Sequence, residues 1–335
     1  MIKLFGCLIK KLFSGIASTI LLIYIFMNPL FSQSQKPDTT AQKAVVDSLQ
    51  INNNDSGFQI PIDSNLTIVP DSSADTLLQQ QVNIDTIKIQ NHVPTPKPIK
   101  FGRDIPNNAF KVGENLKFRI RYGPIVAGSS RMGVDDTIRV QGNLCYKIVT
   151  EAFSNRFFST FFKVEDQVIT YIDKKGLFTW YFEQHIREGG YKADRWARYD
   201  QIRNLVFTHR NDTLSVPPYV NDVLSSFYFV RTQKIDVGDT LFIQNHSDKK
   251  IYPMAVLVHQ RENIEVKAGK FRCLVVEPIV MEAGLFKHEG KLTIWFTDDE
   301  KKIPVQMKSK VSFLGSITAE LTDIKGVDRK KLAKW

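Results

Sequence analysis

Cysteine is scarce in this chain, with three in 335 residues: Cys7, Cys145 and Cys273. There is no Cys-x-x-Cys pair, and His185, His209, His246, His259 and His288 never recur at helical i,i+4 spacing. A zinc centre therefore has no support, and no metal is expected. "AGSSRMG" (Ala127–Gly133) lacks the Gly-x-Ser-x-Gly spacing and the strand-to-helix setting of a nucleophile elbow. "TDDEKK" (Thr297–Lys302) lacks the spaced ligands and the glycine of a calcium loop and reads as a charged hairpin tip. His185 and Glu183 can share one strand face, where a wet polar pair is the simplest reading. Carboxylate pairs for glycoside chemistry are invisible at this level, because their separation is not written in sequence spacing. These gaps leave a hydrolase with little support; no catalytic residue and no cofactor is assigned.

Acidic residues are also in deficit: 35 Asp and Glu against 45 Lys and Arg, a net charge of +10. Such a balance suits nucleic acid, headgroups or other anionic polymers, or simply a solvated surface. The N-terminus decides against nucleic acid. Lys3, Lys10 and Lys11 precede an apolar run from Leu12 to Phe31, and the chain turns polar at Ser32-Gln33. That is the pattern of a signal peptide over residues 1–32, with Ser32 as the small residue at the cleavage point. Asn28 and Pro29 near the end of the run favour cleavage. An uncleaved anchor is the alternative, since about 20 apolar residues can span a bilayer. Cys7 lies before the apolar run, which excludes it as a lipidated cysteine. The expected location is the periplasm or the outer membrane.

Residues 33–105 are poor in aromatics, with only Phe58 and Phe101, and their apolar residues follow no period. Rich in Asp, Ser, Thr, Gln and Pro, and ending in "PTPKPIK", this segment reads as a disordered spacer. Four Asp-Ser/Thr triplets ending in an aliphatic residue or Thr put Thr39, Ser48, Thr76 and Thr86 in one context. The triplet resembles the O-glycosylation acceptor used by Bacteroidetes; a degenerate repeat without modification is the alternative.

Residues 106–325 read as one antiparallel β domain, followed by a basic tail over 326–335. "FKVGENLKFRIRYG" alternates Leu116, Phe118, Ile120 and Tyr122 with Lys117, Arg119 and Arg121, a strand buried on one face and wet on the other. Period-2 stretches of this kind recur, separated by Lys174-Lys175-Gly176, Glu188-Gly189-Gly190, Ala268-Gly269 and Leu314-Gly315. Short gaps mean hairpins, and the lack of strand–helix–strand alternation rules against a parallel sheet. "FTWYF" and "LTIWF" are apolar on both faces and need cover on both sides. One short helix is expected in "NDVLSSFYFVRTQ", with Asp222 as N-cap and Leu224, Phe227, Tyr228 and Arg231 on one face. In "FFSTFF" (Phe157–Phe162) one helical turn would gather four rings, as core packing or as an apolar lid or membrane-touching tip. The fold class is all-β, a large curled sheet or half-open β-barrel with one short helix, preceded by the disordered N-terminal segment.

Six segments in order, "FKVGENLKFRIRYGPIVAG", "SNRFFSTFFKVEDQVITYID", "EGGYKADRWARYD", "VNDVLSSFYFVR", "AGKFRCLVVEPIV" and the stretch from Gly290 to Leu321, make the chain similar to the domain of unknown function 3108 family. The resemblance implies an exported protein with an antiparallel β fold, and carries no activity or site residues with it.

In "EGGYKADRWARYD", Arg195, Trp196 and Arg198 mix cations, small residues and an aromatic, a composition that suits a phosphate or carboxylate headgroup; an Arg–Asp ladder is the structural alternative. With Arg119 and Arg121 these form the candidate ligand site. Cys145 and Cys273 both fall on expected strands; in an oxidising compartment a disulfide between them is allowed, and buried free thiols are the plain alternative. Two functions remain. One is a non-catalytic binding module for an apolar or anionic-headed ligand such as a lipid, with peripheral membrane contact. The other is a structural or interaction protein of the envelope with a packed interior. The first needs a sizeable apolar cavity, and the second predicts an exposed patch or a free sheet edge. The oligomeric state is open.

Overall fold

The computed structural model describes residues 102–247, 250–282, 285–287, 291–311 and 315–335. The expected signal peptide, the expected spacer up to residue 101 and the acceptor candidates Thr39, Ser48, Thr76 and Thr86 lie outside these residues. Among the described residues, fifteen strands form a single antiparallel sheet. In chain order they are β1 (Asn115–Tyr122), β2 (Ile125–Val140), β3 (Asn143–Ser154), β4 (Glu165–Asp173), β5 (Thr179–Glu188), β6 (Tyr191–Asp200), β7 (Leu205–Thr208) and β8 (Thr213–Ser215), then β9 (Thr240–Ser247), β10 (Lys250–Val266), β11 (Gly269–Glu282), β12 (Leu285–Lys287), β13 (Lys291–Thr297), β14 (Pro304–Val311) and β15 (Gly315–Lys325). A helical turn, α1 (Arg156–Ser159), links β3 to β4, and a helix, α2 (Val223–Thr232), separates β8 from β9.

The order across the sheet is β8 to β1, then β15, β14, β13, β11, β10 and β9, with β12 beside β11. The sheet curls but its ladder does not close, so β8 and β9 are its edges. The seam is stitched at one place. The Asn221 N–H donates to the Gln244 carbonyl at 3.0 Å, and the His246 N–H donates to the Asn221 carbonyl at 2.8 Å. On the other side the Thr179 N–H reaches the Val220 carbonyl at 3.3 Å. The body is a half-open barrel.

The opening strand behaves as its alternation demands. Leu116, Phe118 and Ile120 are buried, while Lys117 is exposed and Arg119 and Arg121 are partly exposed. The side chains of Phe118, Ile148, Val168, Phe182, Tyr199, Ile243, Met254, Val276, Ile294 and Leu321 belong to one core. The last ten residues also contribute to it, since Leu332 is buried and the Arg272 N–H donates to the Ala333 carbonyl. Arg103 stacks over the rings of Tyr219 and Phe229, and the Ile105 N–H bonds the Lys175 carbonyl. These two residues, placed by sequence in the spacer, lie against the folded body.

Cys145 and Cys273 are free and buried. The optional disulfide is not formed. Cys145 sits on β3 in a small cluster with Phe178 and Trp180, and Cys273 sits on β11 in the main core, with five strands between them in the sheet. Burial raises the pKa of both thiols, that of Cys273 to about 12.

Candidate functional site

In an antiparallel meander, alternate connections fall at the same end. The β1–β2 turn, the α1 connection and the β5–β6 turn share one end, the mouth. The β4–β5 and β13–β14 turns and the starts of β1 and α2 share the other.

That second end is plugged by α2. Asp222 is its N-cap, accepting from the Leu224 and Ser225 N–H groups through Oδ1. Its Oδ2 accepts from Thr170 at 2.5 Å and Thr179 at 2.7 Å, which ties the helix start to β4 and β5. Burial pushes the Asp222 pKa up. At the far end, fully buried Arg231 makes a bidentate pair with Glu114, at 2.6 and 2.8 Å, and donates to the Lys301 carbonyl. Burial opposes the guanidinium charge, but Glu114 outweighs it and the Arg231 pKa is raised. Leu224, Phe227 and Tyr228 are buried on the face that sequence periodicity gave them. Between α2 and strands β10, β11 and β13 runs an apolar slot lined by Val223, Phe227, Met254, Val276, Leu292 and Phe296, with about 20 Å³ of free space. A second pocket at the seam, lined by Arg195, Tyr199, Asp222 and His246 among others, has about 20 Å³. Each is room for about one water.

The mouth is built differently. On the inner wall of β4 and β5, Asp166, Gln184 and Glu188 are buried. Two carboxyls can bond only if one keeps its proton; Glu188 donates to Asp166, which also accepts from the Arg187 N–H at 2.8 Å. Burial raises both pKa values, Asp166 to about 6 and Glu188 to about 8, the latter further by the Asp166 charge. Arg195, opposite Gln184 in the β5–β6 ladder, partly offsets the rise at Glu188.

Around the rim of the mouth stand apolar side chains in water. Ile125 is 52% exposed, Phe157 65% and Phe161 54%, with Val126 and Phe153 also exposed. Asn155 holds them in one corner. Its side-chain amide donates to the Val126 carbonyl at 2.7 Å, its N–H donates to the Ala127 carbonyl, and its Oδ1 caps α1 at Phe158. Phe157 packs edge-on against Phe158 and Phe161, each at 5.5 Å. Phe158 and Phe162 turn inward onto the core. Phe162 also packs over Gly189, where a Cβ would stand 2.7 Å from the ring and φ is +56°. Thus "FFSTFF" places two rings on the core and leaves two exposed.

The five residues marked in sequence for ligand binding do not converge. Arg119 pairs with Glu320 at 2.7 Å, and Arg121 lies 3.9 Å from the same carboxylate and donates to the Pro124 carbonyl. On β6, Arg195 faces inward and bonds the Tyr191 hydroxyl at 2.8 Å. Trp196 and Arg198 face outward, the first stacked on Tyr181 and the second over Phe207. Four strands separate β6 from β1. His185 bonds Asp194 at 2.8 Å as a wet polar pair. On the outer face of β10, β11, β13 and β14 lies a groove of about 440 Å³, in which Trp295 donates to Glu262 and His259 is held by Glu277. Sequence reasoning missed Asp166, Gln184 and Glu188. Their signal was polar residues at inward positions of "EDQVITYID" and "TWYFEQHIRE".

A family model described as a protein of unknown function, DUF3108, matches residues 117–322, most of the strands just described. The chain belongs to that family. Among curated proteins, none matches. Several solved structures resemble this DUF3108 domain at low identity. One is a β-barrel-like protein of a domain of unknown function, DUF1849, from Brucella abortus, 10% identical over 65% of this chain and 98% of that one, with a TM-score of 0.44. A protein from Bacteroides fragilis described as exported, with a YmcC-like fold, is 13% identical over 67% and 99%, with a TM-score of 0.31. A protein from Parabacteroides distasonis described as a lipoprotein is 11% identical over 67% and 99%, with a TM-score of 0.31.

Proposed function

We propose that this chain is an exported, non-catalytic interaction module of the cell envelope with a packed interior. Export rests on the charge pattern of the first 33 residues. The observation that carries the interior half is the plug. Helix α2 crosses the barrel, and two interior pockets lined by described residues each hold about 20 Å³. A diacyl lipid needs hundreds of cubic ångströms, as drug-sized ligand sites of about 300–1,000 Å³ do. The protein therefore meets its partner on the outside. Native mass spectrometry of the protein isolated from its host should give a mass accounted for by the chain and its covalent modifications. A stoichiometric lipid released on extraction would overturn this reading.

One observation favours the other function, a carrier of apolar cargo. The slot beside α2 is lined by apolar side chains, Pro278 and Val256 included, and lies where a shift of the helix would widen it. In that reading the Glu114–Arg231 pair is the latch that holds the helix down.

A further inference from the structure

The corner of the mouth is an unusual surface for a protein in water. Five large apolar side chains, Ile125, Val126, Phe153, Phe157 and Phe161, are exposed together, from two connections that Asn155 locks against each other. Phe157 and Phe161 stand one helical turn apart on a turn whose other rings, Phe158 and Phe162, are anchored in the core. The exposed rings are thus held rigidly and point away from the barrel. Nothing within the described body covers them, although a chain with 23 phenylalanines has a large core available. Apolar residues clustered in this way mark a contact with another apolar phase or partner.

The charges around the corner say which. Arg121, Arg156, Lys163 and Lys192 lie on the segments that form the mouth, and Lys308 and Lys310 are exposed on β14 at the same end. The exposed carboxylates on those segments are Glu165, which pairs with Lys163, and Asp194, which pairs with Arg187 and His185. Arg121 is near Glu320. An apolar tip within a belt of cations matches an anionic lipid surface, where rings enter the acyl boundary and lysines and arginines stay at headgroup level. A protein partner would have to bring its own acidic rim around an apolar cup, and nothing on this face calls for such a shape.

We propose that this corner is a lipid-docking tip. Phe157 and Phe161, with Ile125 and Val126 beside them, insert into the interfacial layer of an anionic bilayer, and the cations around them bind its phosphates. The proposal rests on the outward-facing module argued above but does not depend on an empty interior.

The test uses the full chain, with a local readout so that the N-terminal apolar run cannot supply the signal. Hydrogen–deuterium exchange is followed with and without vesicles of phosphatidylglycerol and phosphatidylethanolamine, and with phosphatidylcholine vesicles. Anionic vesicles should slow exchange at residues 123–129 and 155–163, and phosphatidylcholine much less. The double variant Phe157→Asp/Phe161→Asp should lose that protection and bind the vesicles about tenfold more weakly. Ile202→Asp, at a side chain 60% exposed at the opposite end, should change nothing. Because both rings are exposed, thermal unfolding of the double variant should match that of the wild type. Protection that is absent, lies elsewhere or survives the double substitution would overturn the proposal. So would equal protection at residues 123–129 and 155–163 without vesicles at high protein concentration, which would make the occupant a second copy of the chain. A lipid found inside the barrel by mass spectrometry would remove the packed-interior function and leave this proposal standing.

Discussion

The two ends of the barrel handle buried charge in opposite ways. At the plugged end, the charges of Arg231 and Glu114 are both kept and matched, two hydrogen bonds to two, with the Lys301 carbonyl taking a further donor. At the mouth, Asp166 and Glu188 are two acids facing each other, and burial resolves the conflict by keeping a proton. The plug leaves its large rings inside and the mouth leaves Phe157 and Phe161 outside. One end is arranged for permanence. The other keeps an acid pair and apolar surface that a folding optimum would have removed, which is how interaction surfaces differ from cores.

The sharpest way to break that contrast is at Arg231. Arg231→Met leaves Glu114 buried without a counter-charge and should cost about 3–5 kcal/mol in denaturant unfolding. The double variant Arg231→Met/Glu114→Gln should recover much of the loss, because no charge is then stranded. If the single and double variants unfold alike, the pair is not what holds the helix.

The next effect is pH dependence at the mouth. Both carboxyl pKa values are raised above those of the unfolded chain, so the folded state binds more protons. The stability this pair contributes is full below about pH 4, where the unfolded carboxyls are also protonated. It falls as pH rises toward about 8, where the Glu188 proton is lost. Glu188→Gln should flatten this slope by on the order of 1–2 kcal/mol between pH 5 and 9. A slope unchanged by the substitution would place the titration elsewhere.

The smallest effect is expected on the wet face of the opening strand. Arg119→Ala removes a partly exposed pair with Glu320 and should cost less than about 1 kcal/mol. Phe118→Ala on the opposite face of the same strand should cost about 3–5 kcal/mol. Equal losses would mean that the strand is buried on both sides.

Much of this architecture was legible because it is local. Alternation in residues 116–122 gave the buried face, Gly and Lys-Gly punctuation gave the hairpins, and Asp222 followed by periodic apolar residues gave α2. The failures are non-local. Arg231 was visible on a helix face, but its partner lies 117 residues away in the strand approach. The candidate arginines were grouped by composition, whereas the alternation of β6 turns Arg195 inward and Trp196 and Arg198 outward. The acid pair was hidden for a different reason. Strand β5 is apolar on both faces only at its start, where a register shift between Tyr171 and Ile172 carries Trp180 out of phase with its neighbours. The alternation that turns Gln184 and Glu188 inward holds only beyond that shift. The disulfide failed on geometry that only the strand order reveals.

Strand β1 pairs with β15, Asn115 opposite Lys325, although residues bonded across that ladder, such as Arg119 and Glu320, are 201 positions apart. Neighbours elsewhere in the ladder are neighbours, or nearly so, along the chain. The two ends of the barrel's covalent path therefore meet side by side in mid-sheet, and its spatial seam falls mid-chain, between β8 and β9. The barrel is a circuit lacking one peptide link. A linker from residue 335 back to residue 102, with new termini cut into the β8–α2 connection, would leave each ladder intact and keep Glu114 and Leu332 in place. It would replace the strand pairing that must close a loop of about 200 residues by a far shorter connection, so that the β1–β15 pairing would no longer wait on that closure.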